Sequence, residues 1–253
     1  MILTAENYFS QEAEQHYMGS TQFKRFLGCE AGALAHIRRE VAEEKSTALL
    51  VGSFVDAYFS GELPLFKAQN PEICKRDGSL KAEYIQAEYI IRRIERDPEF
   101  MKALSGKKQS IMTGEIAGVP FKIKIDSLRP DIIVDQKIMR DMADAYSPEV
   151  GRRVPFWQFW GYEFQGAIYR EIVRQNVGQL LPFGLAVATK EKETDLDLIQ
   201  LPPSVLDDAL ALVEEKAPYF DMLKNGMDEP ERCEKCDYCK ETKVIKGWRM
   251  AEI

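Results

Sequence analysis

Three short segments between residues 113 and 140 constrain the fold more than any other part of the chain. They read as strand, turn, strand, turn, strand, with a tight turn at residues 117–118 and a second turn at which Pro130 stops the β-ladder. From Phe121 to Asp126 apolar and charged residues alternate, which is the period of a half-buried strand. The sequence therefore predicts three consecutive β-strands here.

Acidic and basic residues lie where two of these strands end. The third segment, residues 132–134, is apolar as in a central strand, and Asp135, Gln136 and Lys137 follow it. Residues two apart in a strand share a face, so Asp135 and Lys137 project together while Gln136 points away. Asp126 ends the preceding strand. Two acids at neighbouring strand ends, with a lysine beside one of them, make an oxygen-ligand site for a hard divalent cation.

This arrangement, an Asp at the end of one strand and hydrophobic-Asp-x-Lys on the next, resembles the core of the PD-(D/E)XK nuclease superfamily. The resemblance implies that Asp126 and Asp135 are metal ligands and that Lys137 is the catalytic lysine. It also implies an α/β fold with a restriction-endonuclease-like core, in which helices flank a mixed sheet, and an N-terminal helical lobe. Taken alone, the stretch is also compatible with a β-hairpin that carries its charges on a solvated face.

Length and composition bound the organisation of the chain. With 253 residues and 45% hydrophobic content, the chain can bury a full core. We expect a single nuclease domain over residues 1–253, with a helical lobe (1–107), a β-rich catalytic core that includes a helix at 155–177 (108–201), and a C-terminal helix with a cysteine clip (202–253). No apolar run approaches the ~20 residues of a membrane span, and the N-terminus lacks the pattern of a secretion signal, so a cytoplasmic location is expected.

The formal net charge of −7 neither favours nor excludes a nucleic-acid partner. Binding depends on local basic patches, and acidic residues at a metal site add to the negative count. Basic residues that could contact phosphates are present near the predicted site. We take five of them as candidate DNA contacts: Lys122, Lys124, Arg152, Arg153 and Arg170.

The helical pattern places another acid near the predicted metal site. Ser46 is the N-cap of a predicted helix over residues 47–60, in which Gly52 and Asp56 lie four apart and share a face. The RecB-type and phage-exonuclease branches of the superfamily carry Gly-x-x-x-His at this place, and the resemblance implies that Asp56 is a further ligand. An aspartate in place of histidine favours a hard ion such as Mg²⁺ or Mn²⁺. A capped surface aspartate is the alternative.

The remaining periodicities predict further elements. We expect a helix from residue 21 to about residue 44, a loop-rich connection at 63–80, helices at 81–96 and 98–104, and a polar connection at 141–153. A helix then runs over 155–176, followed by strands at 185–190 and 195–201 and a helix at 204–225.

Gln165 and Tyr169 lie four apart on the predicted helix that follows the lysine strand. Gln-x-x-x-Tyr is the remaining motif of the RecB and lambda-type exonuclease branch, so the resemblance implies that both side chains contact DNA. The backbone carbonyl of Gln136 is a candidate for an additional metal ligand.

Cysteine spacing indicates a second metal centre. Cys233, Cys236 and Cys239 form C-x-x-C-x-x-C, whose short loops allow three thiolates to converge on one centre, and Cys29 is the best candidate for a fourth ligand. One cysteine before the core and three after it resembles the iron-sulfur nucleases of the superfamily, which implies a [4Fe-4S] cluster. Zinc bound by four thiolates and free thiols are the alternatives.

The resemblance implies a Mg²⁺- or Mn²⁺-dependent deoxyribonuclease, an exonuclease acting on duplex DNA ends in phage or prophage recombination or repair. The phage RecE-like or lambda-type branch is the nearest in kind, and it implies an ssDNA-annealing partner protein and a possible oligomer. Two alternatives remain: a catalytically inactive nucleic-acid-binding module of the same fold, and a zinc-clipped structural or interaction protein.

Overall fold

The structure is a computed structural model of the chain, and it describes residues 1–41, 46–148, 150–245, 247–248 and 250. Helices make up its first third and its C-terminal part. The helices are α1 (Gln11–His16), α2 (Ser20–Gly28), α3 (Glu30–Ile37), α4 (Thr47–Ser60), α5 (Leu63–Gln69), α6 (Ala82–Glu95), α7 (Pro98–Ala103), α8 (Phe156–Phe159), α9 (Tyr162–Val177), α10 (Pro203–Lys224) and α11 (Asp237–Glu241), with a 3₁₀ turn at Pro71–Ile73. No helix in the described part of the chain is both long enough and apolar enough to cross a membrane.

A five-stranded sheet follows the helical lobe. The strands are β1 (Lys107–Ile116), β2 (Val119–Leu128), β3 (Ile133–Met139), β6 (Phe183–Thr189) and β7 (Leu196–Gln200), while β4 (Ala145–Ser147) and β5 (Arg152–Val154) form a separate hairpin. The order is β1-β2-β3-β6-β7, with β3 and β6 parallel and the other neighbours antiparallel. Helices pack on both faces of this mixed sheet, so the predicted α/β fold class with an N-terminal helical lobe is confirmed.

The two faces of the sheet bury different sets of side chains. On β6, Leu185 and Val187 belong to the core shared with α2, α9 and α10, whereas Ala186 and Ala188 belong to the core shared with α4, α6 and α7. Each fully buried large apolar side chain contributes about 1.5–3 kcal/mol relative to leaving it exposed. Because β6 is buried on both faces, it reads as a continuous apolar run, as central parallel strands do.

β2 and β3 pair over only two positions and then separate. Ser127 pairs with Val134 and Leu128 with Ile133, and the ladder stops there. Farther along β2, Met18 takes the edge that β3 has left: its N–H donates to the Pro120 carbonyl at 2.8 Å, and its carbonyl accepts from the Lys122 N–H at 3.0 Å. The sheet therefore forks between β2 and β3, with the N-terminal segment filling one side of the fork.

Two predicted helices are each divided in the structure. The helix expected from residue 21 to about residue 44 is split into α2 and α3 at Cys29, whose φ of −168° is extended and whose sulfur accepts the Gly32 N–H at 3.3 Å. Residues 42–44 of that prediction lie outside the described residues. The helix expected at 155–176 is split into α8 and α9 at Gly161, which adopts a left-handed φ of 62°.

Two segments contain more regular structure than the sequence suggests. The connection expected at 63–80 contains α5 and the 3₁₀ turn, and Phe66 of α5 packs against the core under α4. The polar connection expected at 141–153 contains the β4–β5 hairpin. Both segments lack a long apolar period because each rests on the body of the domain through only a few side chains. In contrast, α4 spans the predicted residues 47–60, and the Ser46 hydroxyl caps it by accepting the Leu49 N–H.

Candidate active site

The fork between β2 and β3 brings Asp126 and Asp135 together. They occupy the next opposed positions after the Ser127–Val134 pair, where the ladder ends. In place of a ladder bond, the Gln136 N–H donates to Asp126 Oδ2 at 2.9 Å. The strand that carries one acid therefore orients the other, and both carboxylates face the same opening.

Lys137 projects to the same side as Asp135, as the strand period predicts. Its Nζ lies 2.5 Å from Asp135 Oδ2, and it also lies 4.7 Å from the centroid of the Tyr162 ring at the start of α9. The other carboxylate oxygen of Asp135, Oδ1, accepts a hydrogen bond of 2.5 Å from Gln165 Nε2. Asp135 is 3% exposed, so both contacts lie in a largely water-free environment.

Asp56 reaches the site from α4. Its Oδ1 lies 3.4 Å from the side-chain nitrogen of Gln109, a long and weak hydrogen bond. Gln109 has a left-handed φ of 48°, and the β1–β2 ladder skips this position opposite Asp126. A Cβ added at Gly52 would lie 4.0 Å from Ile138 of β3, an ordinary van der Waals contact, so the approach of α4 to β3 does not require glycine here.

Burial and neighbouring charges raise the pKa of two of the carboxylates, Asp126 and Asp56. The pKa of Asp126 lies well above its usual value, first because the group is buried and then because of the charges of Asp135 and Asp56. Burial likewise raises the pKa of Asp56, with Asp135 adding to the shift. Burial alone would lower the pKa of Lys137, but the electrostatic effects of Asp135, Tyr162 and Asp126 and the hydrogen bond to Asp135 together outweigh it and raise that pKa above its usual value, so Lys137 stays protonated.

This donor set fits a hard divalent cation. Oxygen ligands from carboxylates are what Mg²⁺ and Mn²⁺ prefer, and burial, together with the charge of Asp135, raises the pKa of Asp126 and Asp56, a cost that a bound cation would offset. Asp126, Asp135 and Asp56 would hold such an ion. The three carboxylates are not all within 4.8 Å of one another. Among the described residues, only a set of four cysteines brings three or more Cys, His or acidic ligand atoms this close together.

The site opens into a cavity of about 930 Å³. Its walls come from the N-terminal segment, α2, α4, the start of α9 and the fork of the sheet. Positive side chains along it include Lys24, Arg39, Lys124 and Lys137. A cavity with acids at its base and cations along its walls suits a phosphodiester beside a metal ion.

The predicted motif residues Gln165 and Tyr169 lie on the wall of this cavity but are mostly engaged with the protein. Gln165 is 7% exposed and holds Asp135. Tyr169 is 6% exposed, and its hydroxyl donates to the Lys124 carbonyl at 3.0 Å. In this structure both side chains position β2 and β3, and direct contact of either with DNA stays a prediction.

Lys122 and Arg170, two of the predicted phosphate contacts, are buried and engaged with protein groups, so their contact with phosphates stays a prediction. Lys122 is 3% exposed, and its ammonium donates to the Tyr8 carbonyl at 2.5 Å and lies 3.2 Å from a Glu14 carboxylate oxygen. Arg170 is 8% exposed and pairs with Asp207 of α10 at 3.1 Å. The alternating pattern of β2 suggested a solvated face for Lys122, but the N-terminal segment covers it.

The other predicted phosphate contacts remain accessible. Lys124 lines the cavity, and Arg152 and Arg153 are exposed on β5 of the hairpin. One guanidinium nitrogen of Arg153 donates to the Asp144 carbonyl across the hairpin. Their contact with DNA stays a prediction.

Sequence reasoning missed several residues that shape the site. Lys24 of α2 donates to the Trp160 carbonyl at 3.1 Å, and burial together with the charge of Lys137 lowers its pKa to about 8. Tyr162 lies beside Lys137, and Gln109 approaches Asp56. No local pattern marks these positions, because each acquires its role only through contacts between distant elements.

The four predicted cysteines form a second site. The ligand atoms of Cys29, Cys233, Cys236 and Cys239 all lie within 4.8 Å of one another, with Cys29 Sγ 3.5 Å from Cys239 Sγ and 3.7 Å from Cys236 Sγ. This set therefore confirms that Cys29 joins the C-terminal motif. Cys74 lies elsewhere, against the core under α4.

Electrostatics within the cysteine set favour ligation of a cation. Backbone N–H groups of Lys235 and Cys236 point at the Cys233 sulfur and lower its pKa to about 6. Burial raises the pKa of Cys236 to about 12 and also raises that of Cys29. The Cys233 thiolate therefore forms readily, and a bound cation would offset the cost of deprotonating Cys29 and Cys236.

The cysteine set joins the two ends of the described chain. Cys29 is the residue between α2 and α3, and Cys236 is the N-cap of α11. Nearby, the Ala31 N–H donates to the Glu231 carbonyl at 3.0 Å, and the Glu231 N–H donates to a Glu30 carboxylate oxygen at 2.8 Å. The tail is thus fastened to α3 both by cysteines and by hydrogen bonds.

Together the fold and the fork define the class of protein. A mixed sheet flanked by helices, with opposed aspartates where two strands separate and a lysine two residues after the second, is the PD-(D/E)XK arrangement. Over residues 19–242 the chain matches the family described as a PDDEXK-like domain of unknown function (DUF3799), and it belongs to that family.

A solved structure extends the likeness over the whole chain. The crystal structure of an exonuclease candidate from Eubacterium rectale is similar over 99% of this chain and 97% of that chain, with 48% sequence identity and a TM-score of 0.94. No curated protein matches the chain.

Proposed function

We propose that this protein is a metal-dependent DNA nuclease that hydrolyses phosphodiester bonds, and that it acts as an exonuclease. The observation that carries the proposal is the convergence of Asp126, Asp135 and Asp56 with protonated Lys137 at the base of one open cavity. The similar protein from Eubacterium rectale, described as an exonuclease candidate, supports the same activity.

Each residue of the site has a distinct role in this proposal. Asp126 and Asp135 hold a Mg²⁺ or Mn²⁺ ion, with Asp56 and the Gln136 carbonyl as further ligands. When bound, this ion supplies Lewis-acid activation and charge stabilisation at the phosphate. Lys137 keeps its proton, so it donates to the attacking water or to a phosphate oxygen and offsets the charge that develops there. Gln165 fixes the orientation of Asp135 through its amide.

DNA contacts come from the remaining accessible cations. Lys124 lies on the cavity wall beside the acids, and Arg152 and Arg153 extend a basic surface onto the β4–β5 hairpin. These residues bind phosphates without reading sequence, so the affinity for DNA should fall with rising salt. Gln165 and Tyr169 contribute by orienting Asp135 on β3 and the backbone of β2 at Lys124.

The order of the motifs supports the assignment to a particular branch of the superfamily. Gly52, Asp56, Asp126, Asp135, Lys137, Gln165 and Tyr169 occur in the order of the RecE-like and lambda-type exonucleases. On this basis we place the protein in phage or prophage recombination or repair, acting in the cytoplasm on duplex ends beside an ssDNA-annealing protein, as one nuclease domain that could assemble into an oligomer.

The cysteine set is assigned to a [4Fe-4S] cluster, with zinc as the second candidate. Four sulfur ligands suit either centre. A brown protein with iron and sulfide after anaerobic purification supports the cluster, and a colourless protein with one equivalent of zinc supports the alternative.

Two other functions have specific support. Aspartate at position 56, where related nucleases carry histidine, is compatible with a DNA-binding module that does not turn over. A zinc-bound cysteine set without a working metal site at the fork is compatible with a structural or interaction protein.

A single assay separates these functions. The purified protein is incubated with linear duplex DNA and Mg²⁺, Mn²⁺ or EDTA, beside Asp135→Asn as the matched inactive variant. We expect hydrolysis by the wild type with either ion, none with EDTA, and none by Asp135→Asn. Binding of DNA without hydrolysis would support the inactive module, and neither binding nor hydrolysis would support the structural protein.

A further inference from the structure

Phe9 is an exposed aromatic residue on the wall of the active-site cavity. Its side chain is 66% exposed, against 42% for Phe159, the next most exposed phenylalanine among the described residues, and it lines the cavity. The edge of its ring packs against Tyr8, with centroids 4.9 Å apart at 84°, and the ammonium of Lys124 lies 5.7 Å from the ring centroid. The ring thus has protein contacts on part of its surface and is otherwise open to the cavity.

The backbone that carries Phe9 is held in place from both sides. The Lys122 ammonium donates to the Tyr8 carbonyl and lies 4.7 Å from the Tyr8 ring centroid. Tyr8 is itself buried, and the Arg39 guanidinium donates to the Phe9 carbonyl at 3.3 Å. Buried Lys122 therefore anchors the segment that carries Phe9. The exposure of the Phe9 side chain is a consequence of this fixed backbone.

The position of Phe9 relates it to the chemistry. Lys124 lies two residues before Asp126 on β2, and Tyr169 fixes its backbone carbonyl. Lys124, whose ammonium lies against the ring, and Asp126 share one face of β2, and the ring and the carboxylates line the same cavity. A phosphate bound at the carboxylates would place an adjoining nucleobase within reach of the ring, with Lys124 between them.

We propose that Phe9 is a base-stacking residue for an unpaired nucleotide next to the scissile phosphate, so that the site takes the end of a strand, either single-stranded or unpaired from the terminus of a duplex. This proposal rests on the proposed nuclease function. An aromatic ring can stack on any base, which suits a nuclease without sequence preference. In a duplex both faces of an internal base are already stacked, so only a terminal or single-stranded base offers a face to Phe9. Lys124 neutralises the neighbouring phosphate.

The test measures binding apart from hydrolysis. Fluorescence anisotropy with a short single-stranded oligonucleotide in EDTA gives the Kd for wild type, Phe9→Ala and Phe9→Trp. Tyr89→Ala is the matched control, because Tyr89 is 61% exposed and has the Arg92 guanidinium 4.5 Å from its ring centroid but lies on α6 outside the cavity. We expect Kd to rise about 10-fold in Phe9→Ala and to stay near the wild-type value in the other two variants.

An abasic oligonucleotide makes the test specific for stacking. Removing the base should weaken binding of the wild type about 10-fold and leave Phe9→Ala unaffected, so that the two changes are not additive. Equal Kd values for wild type and Phe9→Ala, an equal loss for Phe9→Ala on intact and abasic strands, or no binding of the single strand by wild type would each overturn the proposal.

Hydrolysis measured in parallel separates this proposal from the proposed function. If the wild type shows no metal-dependent hydrolysis but Phe9→Ala lowers affinity only for strands that carry the base, the nuclease assignment fails and the stacking site stands. If hydrolysis depends on Asp135 and Phe9→Ala binds and cleaves like wild type, the nuclease assignment stands and stacking at Phe9 is wrong.

Discussion

Lys137 Nζ lies 2.5 Å from Asp135 Oδ2, and the two residues are separated by a single position on β3. The pair is held between Gln165 and Tyr162 of α9, so a helix distant in sequence sets the geometry of both. Beside this carboxylate the pKa of the lysine is raised, so its ammonium can donate a hydrogen bond and offset charge at a bound phosphate.

Lys137→Met should abolish most hydrolysis while leaving DNA binding intact. Loss of one donor aimed at developing charge costs about 100-fold or more in kcat. The measurement is single-turnover cleavage beside an equilibrium binding titration. Lys102→Met provides the control, since Lys102 is an exposed lysine on α7, outside the cavity. Wild-type kcat in Lys137→Met would show that this ammonium has no catalytic role.

Asp126→Asn should change stability in opposite directions with and without metal. Without metal, the variant should melt at a higher temperature than wild type, because it removes one of three crowded negative charges and keeps an oxygen for the Gln136 N–H. With Mn²⁺ at about 100 times its Kd, wild type should gain about 2.7 kcal/mol, and the variant much less. Thermal unfolding in EDTA and in Mn²⁺ measures both effects. An identical Mn²⁺ response in the two proteins would rule out Asp126 as a ligand.

Cys239→Ser should release the metal of the cysteine set and loosen the fold. Cys239 is buried, and its sulfur lies within reach of the other three cysteines. We expect loss of bound iron or zinc and a Tm lower by more than about 5 °C, because metal binding here is part of folding free energy. Cys74→Ser is the matched control, as Cys74 lies outside the set. Elemental analysis and calorimetry decide; unchanged metal content in Cys239→Ser would contradict the assignment.

Lys224 should make the stability of the protein rise with pH above neutrality. It is buried, burial lowers its pKa to about 8, and its ammonium donates to the Tyr17 carbonyl at 3.1 Å. The charged groups near it are Asp221, Glu14 and Lys122. Between pH 8 and the ordinary lysine pKa, the unfolded chain binds one more proton at this residue than the folded chain does, so the folded state gains stability as pH rises.

The measurement for Lys224 compares wild type with Lys224→Met by urea unfolding from pH 7 to pH 10.5. The free energy of unfolding of the wild type should rise relative to the variant by about 3 kcal/mol across this window. Other groups titrate equally in both proteins and cancel. A constant difference between the two proteins would show that Lys224 has an ordinary pKa.

Local sequence patterns were sufficient to predict much of the sheet and the positions of the acidic residues in it. Alternation in β2, the tight turn before it and the two-residue period from Asp135 to Lys137 each depend on contacts within a few residues, and they hold in the structure. Cys29 could be assigned to the same site as a motif that begins 204 residues later, because three cysteines at C-x-x-C-x-x-C spacing indicate a metal centre that needs a fourth ligand.

The remaining features depend on contacts between distant segments. Lys122 has the pattern of a solvated strand residue, but the segment at Tyr8 and Met18 covers it. The helix break at Cys29 follows from the convergence of the cysteines, and the break at Gly161 follows from the docking of α9. Helical periodicity in the sequence does not predict either break. Phe9 and Gln109 acquire their positions from the same docking, and no local pattern distinguishes them.

The most direct test of exonuclease activity follows two DNA substrates of the same sequence, an end-labelled linear duplex and a covalently closed circle, over time in Mn²⁺ and in EDTA. We predict that mononucleotides or short products are released from the linear substrate only in Mn²⁺, that the circle stays intact, and that Asp135→Asn releases nothing. Equal cleavage of both substrates would contradict an exonuclease, and cleavage by Asp135→Asn at the wild-type rate would contradict an active site at the fork of β2 and β3.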